Sequence, residues 1–254
     1  MRHVSGRGGP QQIPRPDEWG PGAPAPWEHL AASERGVDPE RLRAAFEGRV
    51  GLESPVERAG AAPSAVLVPI HPDDRGELRV VLTRRSDRMR HHTGEVSFPG
   101  GRVEPGESMV QAALREASEE VALDPDGVSP LGELDHLTTV TRRAYITPVV
   151  AWLPEHPRLT PSEAEVAAIL HVPLQELLEP GVYREERWGS AANGRPVYFF
   201  ELYGDTVWGA TAAMLRQFLA IALDLDAGSR AQWDPAGEPD LDWAPPTGWD
   251  GSVV

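Results

Sequence analysis

The sequence predicts an α/β or α+β fold in which a mixed β-sheet lies between helices. The first observation behind this is a set of β-branched runs of strand length, such as "SAVLVPI", "LRVVLTRR" and "YITPVVAWL". The second is a pair of longer segments with helical periodicity, one in the middle and one near the end. Strands thus precede and follow a helix, and no repeat of fixed period is present.

Composition divides the chain into one domain and two tails. Residues 1–35 are rich in Pro and Gly and have no periodicity, which predicts a disordered N-terminal tail. Residues 36–226 carry the predicted domain. Residues 227–254 form an acidic C-terminal tail, rich in Pro, Gly and Trp, that we expect to be disordered or loosely docked.

The first half of the domain begins with a short helix. In "DPERLRAAFEGR", Asp38 suits the N-cap and Pro39 suits the first helical position. The runs "SAVLVPI" and "LRVVLTRR" predict two strands joined as a hairpin through "HPDDRGE". The segment "GEVSFPGG" predicts a short strand that ends in a turn.

The second half begins with a helix from Ser108 to about Val121. Ser108 and Gln111 have the spacing of a capping box at its start. The segments "SPLGELDHLTTV" and "YITPVVAWL" predict two strands, "EVAAILHVPLQELL" a strand followed by a short helix, and "PVYFFELY" another strand. The closing segment "WGATAAMLRQFLAIAL" predicts an amphipathic helix.

Charge and composition exclude several classes of function. The 254 residues carry a formal charge of −15, which argues against non-specific binding of nucleic acids or of an anionic membrane surface. There is no cysteine, and no apolar run approaches the length of a membrane span. The start lacks the apolar core of a signal peptide, so we expect a cytoplasmic protein. Its oligomeric state is left open, a homodimer included.

The segment "EPGESMVQAALREASEEVAL" places three carboxylates within about one helical turn. Glu116, Glu119 and Glu120 share one face of the predicted helix, where like charges repel, and Arg115 is placed to pair with Glu119. Charge runs are usually solvated faces. The alternative is a divalent cation site, because carboxylate oxygens are the ligands that Mg²⁺ prefers.

The spacing of these residues resembles the Nudix box, the signature G-x5-E-x7-R-E-U-x-E-E-x-G-U of the Nudix hydrolases, in which U is apolar. The positions that match are Gly101, Glu107, Arg115, Glu116, Ala117, Glu119, Glu120 and Leu123. Ala122 stands where the family has glycine, which leaves the geometry of the helix exit open. The resemblance implies a Nudix fold and Mg²⁺- or Mn²⁺-dependent cleavage of a nucleoside diphosphate linked to another group.

The resemblance also implies roles for individual residues. Glu116 and Glu120 would be the main metal ligands, assisted by Glu119 and by the carbonyl of Gly101. Arg115 would orient Glu116 or Glu119, and Glu107 would support the loop.

The general base is left open, because Nudix enzymes recruit it from different places. Glu119 is one candidate, and Glu163 or Glu165 in "SEAEVAAI" is another. For Glu163 and Glu165 the alternative is simply a polar loop.

The upstream segment "VLTRRSDRMRHHTGEVSFPGG" resembles the motif of the coenzyme A pyrophosphatase branch of this family. That resemblance implies a small-molecule substrate, coenzyme A (CoA) or an acyl-CoA, with Arg85, Ser86, His92 and Gly100 at the substrate. A guanidinium fork suits phosphate oxygens. The alternative for the arginines is a solvated strand end, and for His92 a hydrogen bond that stabilises its loop.

Three other functions remain open from the sequence. The same chemistry on another nucleoside diphosphate derivative, such as ADP-ribose or a dinucleoside polyphosphate, is the main rival. A non-catalytic nucleotide-binding module with the same fold is the second. An acidic adaptor that acts through the Trp-rich tail is the third, and it rests on composition alone.

Overall fold

The computed structural model describes residues 6–54, 60–86, 94–139, 143–190 and 194–225. The helices are α1 (Pro39–Phe46), α2 (Met109–Val121), α3 (Leu174–Leu177) and α4 (Gly209–Ala222). The strands are β1 (Trp19–Pro21), β2 (Ala62–Pro72), β3 (Leu78–Arg85), β4 (Val96–Ser97), β5 (Gly100–Arg102), β6 (Ser129–Glu133), β7 (Leu137–Thr138), β8 (Ala144–Trp152), β9 (Val166–Pro173), β10 (Tyr183–Trp188), β11 (Arg195–Glu201) and β12 (Thr206–Trp208).

The larger sheet has eight strands and is mixed. Its main path runs β4-β3-β2-β8-β6, with β5 paired to β2, β7 paired to β8 and β9 paired to β3. Strands β2 and β8 are parallel, while β2 and β3 form the antiparallel hairpin that the sequence predicts. The predicted mixed sheet is therefore confirmed.

Helices cover both faces of this sheet, and β2 shows how. Because side chains alternate along a strand, Val66, Val68 and Ile70 enter one buried cluster, together with residues of α1 and α4. Ala65 and Leu67 enter a separate cluster on the other face, where α2 packs. Helix α2 thus packs on the opposite face from α1 and α4, with its glutamates close to the strands β2 and β5.

A second sheet of four strands, in the order β1-β10-β11-β12, was not anticipated from the sequence. It corrects the expectation of a disordered N-terminal tail. Trp19 in β1 pairs with Trp188 in β10, and Trp27 is only 1% exposed, in contact with Tyr183 and Phe200. Burial of a tryptophan offsets the entropy cost of ordering a Pro- and Gly-rich segment. Residues 6–35 therefore pack on the domain.

The two predicted helix starts are confirmed. Asp38 caps α1 with its side chain and Pro39 is the first residue of that helix. Ser108 and Gln111 form the capping box of α2. The predicted C-terminal tail, 227–254, lies outside the described residues. Within the ranges the structure describes, no helix is long and apolar enough to cross a bilayer.

Candidate active site

The loop before α2 and the helix itself bring the predicted residues together. Strand β5 carries Gly100 and Gly101 beside β2, since Val66 pairs with Gly100 and Ala65 with Gly101. A Cβ on Gly100 would meet the Ala65 carbonyl oxygen at 2.5 Å. Only glycine fits so close to the β2 backbone, so this pair fixes how near the loop lies to the sheet.

Arg115 is the centre of an ion-pair network on α2. Its guanidinium donates to both carboxylate oxygens of Glu107, at 2.9 and 3.2 Å. It also donates to Glu116 and to Glu119, both at 3.1 Å, and to the carbonyl of Arg102 at 3.0 Å. Hydrogen bonding to Arg115 lowers the pKa of Glu107. One arginine thus links the loop, through Glu107, to two of the three glutamates of the helix.

Glu107 binds the backbone of its own loop in addition to the guanidinium of Arg115. Its carboxylate accepts a hydrogen bond from the backbone N–H of Glu104 at 3.0 Å. The contacts agree with the loop-supporting role that the resemblance implies for this residue.

Glu116 lies in a confined position. A Cβ on Gly101 would come within 2.4 Å of Glu116 Oε1, so the carboxylate rests against the α-carbon of that glycine. Burial raises the pKa of Glu116, an effect that the hydrogen bond from Arg115 opposes. The side chain therefore carries its charge in a place where water alone solvates it poorly.

Glu120 is the most buried carboxylate of the helix, with 4% of its surface exposed. Its pKa is raised to about 7, mainly by burial and also by the neighbouring charge of Glu116, while the charge of Arg85 acts in the opposite direction. The backbone N–H of Gly100 donates to its carboxylate at 3.4 Å. An acid so buried, so close to another acid and so sparsely hydrogen-bonded is stabilised by a cation.

Glu119 points elsewhere. Its side chain is 60% exposed and is bound to Arg115. Among the described residues, the one trio of His, Asp or Glu ligand atoms lying within 4.8 Å of one another is formed by histidines, not by these glutamates. Glu116 is close enough to Glu120 for its charge to raise the pKa of that acid, whereas Glu119 lies at the edge of the site.

The segment between β8 and β9 packs on the end of α2. The backbone N–H of Ser162 donates to the carbonyl of Glu120 at 2.8 Å, and that of Thr160 donates to the carbonyl of Val121 at 2.9 Å. The charge of Glu165 raises the pKa of both Glu116 and Glu120. Glu165, one of the two loop acids that the sequence left open, thus faces the site.

Arg85 supplies positive charge at the same place. Its guanidinium is close enough to Glu120 to lower the pKa of that acid. Among the described residues, the Nε atom of Arg85 is buried without a hydrogen-bond partner. A buried donor without a partner is costly, and a phosphate oxygen would satisfy it. The adjacent Arg84 instead pairs with Asp205 at 3.2 Å.

The other substrate residues expected from the sequence have different positions. Ser86 is 5% exposed, and its backbone N–H donates to the Glu165 carbonyl at 2.7 Å. Its hydroxyl donates to the Glu163 carbonyl at 3.4 Å. Ser86 therefore holds the loop that carries Glu165. His92 lies outside the described residues.

The exit of α2 settles the question raised by Ala122. This residue adopts the left-handed conformation, with φ 53° and ψ 35°, and its N–H donates to the carbonyls of Ala117 and Ser118. The helix therefore ends with the geometry that glycine favours, although alanine is present.

Comparison with known proteins decides the family. The sequence model of the NUDIX domain matches residues 61–191, which contain β2 to β10 and the whole glutamate helix. This chain belongs to the Nudix family. The resemblance to the Nudix family is confirmed, and with it the assignment of the chain to a family of pyrophosphohydrolases.

Curated relatives of this Nudix protein match well over half of the chain. An "Uncharacterized Nudix hydrolase NudL" from Yersinia enterocolitica is 36% identical over 181 residues, which are 70% of this chain and 91% of the relative. A NudL from Citrobacter koseri is 40% identical over 157 residues, or 61% of this chain and 79% of the relative. Among solved structures, the Nudix hydrolase RenU from M. Smegmatis is 23% identical to this chain, with a TM-score of 0.41. The match covers 48% of this chain and 79% of RenU.

Proposed function

We propose that this Nudix protein hydrolyses the diphosphate bond of CoA or of an acyl-CoA, giving 3',5'-ADP and 4'-phosphopantetheine or its acyl form. The observation that carries the proposal is that the half-buried acid Glu116 and the buried acid Glu120 lie close to Arg85, whose Nε is buried without a hydrogen-bond partner. Two acids that can hold a metal ion, beside an arginine that can bind a phosphate oxygen, suit a metal-bound diphosphate.

The donor set fits Mg²⁺ or Mn²⁺. Two carboxylates whose charges repel, one of them buried with a pKa raised to about 7, are hard oxygen ligands that a divalent ion would stabilise. Glu116 and Glu120 would hold the ion, with the Gly101 carbonyl and Glu119 assisting. When bound, the ion supplies neutralisation of the diphosphate charge and acidification of water.

A net charge of −15 would repel an anionic diphosphate, so binding depends on positive charge placed locally at the site. Arg85 lies beside Glu120 and offers a buried donor to a phosphate oxygen. Arg115 keeps Glu116 fixed while Glu107 anchors the loop. We infer that Arg85 binds the diphosphate and that Arg115 and Glu107 position the ligands without touching the substrate.

Glu165 is the best supported general base among the candidates. Glu119 is engaged with Arg115, whereas Glu165 interacts with both Glu116 and Glu120 and is exposed to solvent, where a water molecule has access.

Glu165→Gln should lower kcat by about 10²- to 10⁴-fold. Glu163→Gln, two residues away in the same exposed loop, is the matched control and should leave kcat unchanged. Equal rates for the two variants would exclude Glu165 as the base.

The choice of CoA is supported by the motif around Arg85 and Ser86, which resembles the CoA pyrophosphatase branch. A panel of CoA, acyl-CoA, ADP-ribose and dinucleoside polyphosphates, each with Mg²⁺ or Mn²⁺, tests it. We expect the highest kcat/KM for CoA or an acyl-CoA. If CoA is left intact while ADP-ribose is cleaved, the chemistry stands and the branch is wrong.

The rival hypothesis, a non-catalytic nucleotide-binding module, is tested by replacing the proposed metal ligands. Glu116→Gln and Glu120→Gln should each lower turnover by orders of magnitude while the protein remains folded. If the unmodified protein binds nucleotide but shows no turnover with any member of the panel, it is a binding module.

We also propose that residues 36–226 are the hydrolase domain and that the acidic tail, 227–254, is not needed for catalysis. A chain that ends after about residue 227 should cleave CoA at the rate of the full chain. Loss of activity on this deletion would give the tail a role in the enzyme.

A further inference from the structure

Three histidines meet at the end of the large sheet that lies away from the glutamates. His71 is on β2, His171 is on the neighbouring part of β9, and His156 is in the segment between β8 and β9. One ligand atom from each lies within 4.8 Å of the other two. The ring centroids of the three pairs are separated by 4.8, 5.0 and 4.6 Å.

The hydrogen bonds of His71 decide which of its nitrogens is free to bind a metal. Its Nδ1 lies 2.9 Å from the carbonyl oxygen of Pro72. Because a carbonyl can only accept, Nδ1 carries the proton, and in the neutral ring Nε2 then holds a lone pair. A backbone carbonyl on one ring nitrogen is the arrangement that orients metal-binding histidines.

The lone pair of His71 Nε2 points at His171. His71 Nε2 therefore accepts a hydrogen bond from the Nδ1–H of His171, with 2.8 Å between the two nitrogens, and a bound metal ion would take the place of that proton. Burial lowers the pKa of His71 and lowers that of His171 to about 4, so both rings are neutral at pH 7. Neutral imidazole is the form that coordinates a metal ion.

We propose that His71, His156 and His171 form a second metal site, selective for a nitrogen-preferring divalent transition ion such as Zn²⁺. Three imidazoles suit Zn²⁺ and related ions, whereas Mg²⁺ prefers oxygen. With Zn–N distances of about 2.0–2.1 Å, the ligand nitrogens of a tetrahedral site are separated by roughly 3.3 Å. His71 and His171 are already near this spacing, and the exposed ring of His156 lies against both of them, with a ligand atom within 4.8 Å of theirs.

Arg79 is a cation near the cluster, and its own ion pairs limit its effect on a bound metal ion. Arg79 donates to the carbonyl of His171 at 3.1 Å, and its charge lowers the pKa of His71 and of His171. That arginine is itself paired with Asp73 and Glu77, each at 3.0 Å. Its repulsion of a bound ion is therefore offset by two carboxylates.

The position of the site gives it a structural role. At about 3.3 Å per residue along β9, His171 lies roughly 20 Å from Glu165, so this site is separate from the glutamates. An ion bound to His71, His156 and His171 would tie the segment between β8 and β9 to the sheet. The same segment continues to Ser162 and Glu165 at the glutamate site, so the ion would steady the loop from its far end.

The test is calorimetric titration of the full chain with Zn²⁺ in the presence of excess Mg²⁺, which occupies the carboxylate ligands. We expect one Zn²⁺ per chain for the unmodified protein. His156→Ala should weaken this binding by about tenfold or more, because one of three ligands is lost. His29→Ala, which removes an exposed histidine outside the cluster, is the matched control and should bind as the unmodified protein does.

A second readout does not depend on activity. Co²⁺ in place of Zn²⁺ should give visible absorption bands of a tetrahedral nitrogen site in the unmodified protein and in His29→Ala, and these bands should be lost in His156→Ala. Because the His156 side chain is exposed, this variant should fold, which its melting temperature without metal checks. The proposal is wrong if His156→Ala binds Zn²⁺ as tightly as the control does. It is also wrong if the unmodified protein binds no Zn²⁺ in the presence of excess Mg²⁺.

Discussion

The carboxylate of Glu116 lies directly against the α-carbon of Gly101, so that a methyl group at position 101 would come 2.4 Å from Oε1 and 2.5 Å from Cδ. Gly101→Ala should therefore displace Glu116 and reduce metal-dependent turnover by about 10- to 100-fold, since a ligand held out of place weakens the metal. Gly127→Ala, at a glycine with no atom within 4 Å of an added Cβ, is the matched control. Unchanged activity of Gly101→Ala would show that the contact does not matter for the reaction.

Arg115 is expected to act by positioning, because it bonds Glu107, Glu116 and Glu119 at 2.9 to 3.2 Å. Arg115→Ala should lower kcat by roughly 10- to 100-fold and raise the Mg²⁺ concentration needed for half-maximal rate, with KM for the nucleotide little changed. Arg41→Ala, at an exposed arginine of α1, serves as the control. A change confined to KM would instead place Arg115 at the substrate.

Glu120 should make the stability of the metal-free protein depend on pH. Its pKa is about 7 in the fold against an ordinary 4.5, so the fold favours the protonated form. Its contribution to stability is thus fully present below pH 4.5 and is lost as pH rises through 7. The difference is on the order of 3 kcal/mol.

Glu120→Gln keeps a neutral side chain at every pH and isolates this contribution. The free energy of unfolding, measured by denaturant in the presence of a chelator, should fall more steeply between pH 4.5 and 8 for the unmodified protein than for the variant. The histidine pair titrates equally in both proteins and cancels in the comparison. Parallel profiles would contradict the burial of this acid.

Ala122 ends α2 in the left-handed conformation, with φ 53°. Ala122→Gly should raise the free energy of unfolding by about 1 kcal/mol, because glycine adopts this conformation without strain. The control is Ala44→Gly, at an exposed position within α1, which should lower it by about 1 kcal/mol. A loss of stability in both variants would mean that the helix end gains nothing from glycine.

Local sequence was enough to predict the elements that depend on local chemistry. The capping box of Ser108 and Gln111 and the hairpin of β2 and β3 are both present as expected.

Strand β10, "YREERW", is not predicted from the sequence, because its charged residues conceal a buried strand. Glu186 is 4% exposed and pairs with Arg15 and Arg184. Arg184 lies in the same strand, but Arg15 comes from the N-terminal segment, 171 residues away, so no local pattern shows that pair.

The glutamate helix was likewise predictable from spacing, since α2 alone places Glu116 and Glu120 one turn apart. The rest of the site depends on contacts between distant segments. Arg85 and Glu165 approach Glu120 only because β3, β9 and α2 meet. The histidine cluster is a stronger case, since His71 and His171 are separated by 100 residues.

The central claim, that solvent breaks a diphosphate at Glu116 and Glu120, is tested most directly by product analysis in isotopically labelled water. The full chain is incubated with CoA and Mg²⁺, and the products are weighed by mass spectrometry. The account predicts 3',5'-ADP and 4'-phosphopantetheine, with one labelled oxygen in one of the two and no products from Glu120→Gln. Intact CoA with the unmodified protein, or products formed equally by Glu120→Gln, would contradict it.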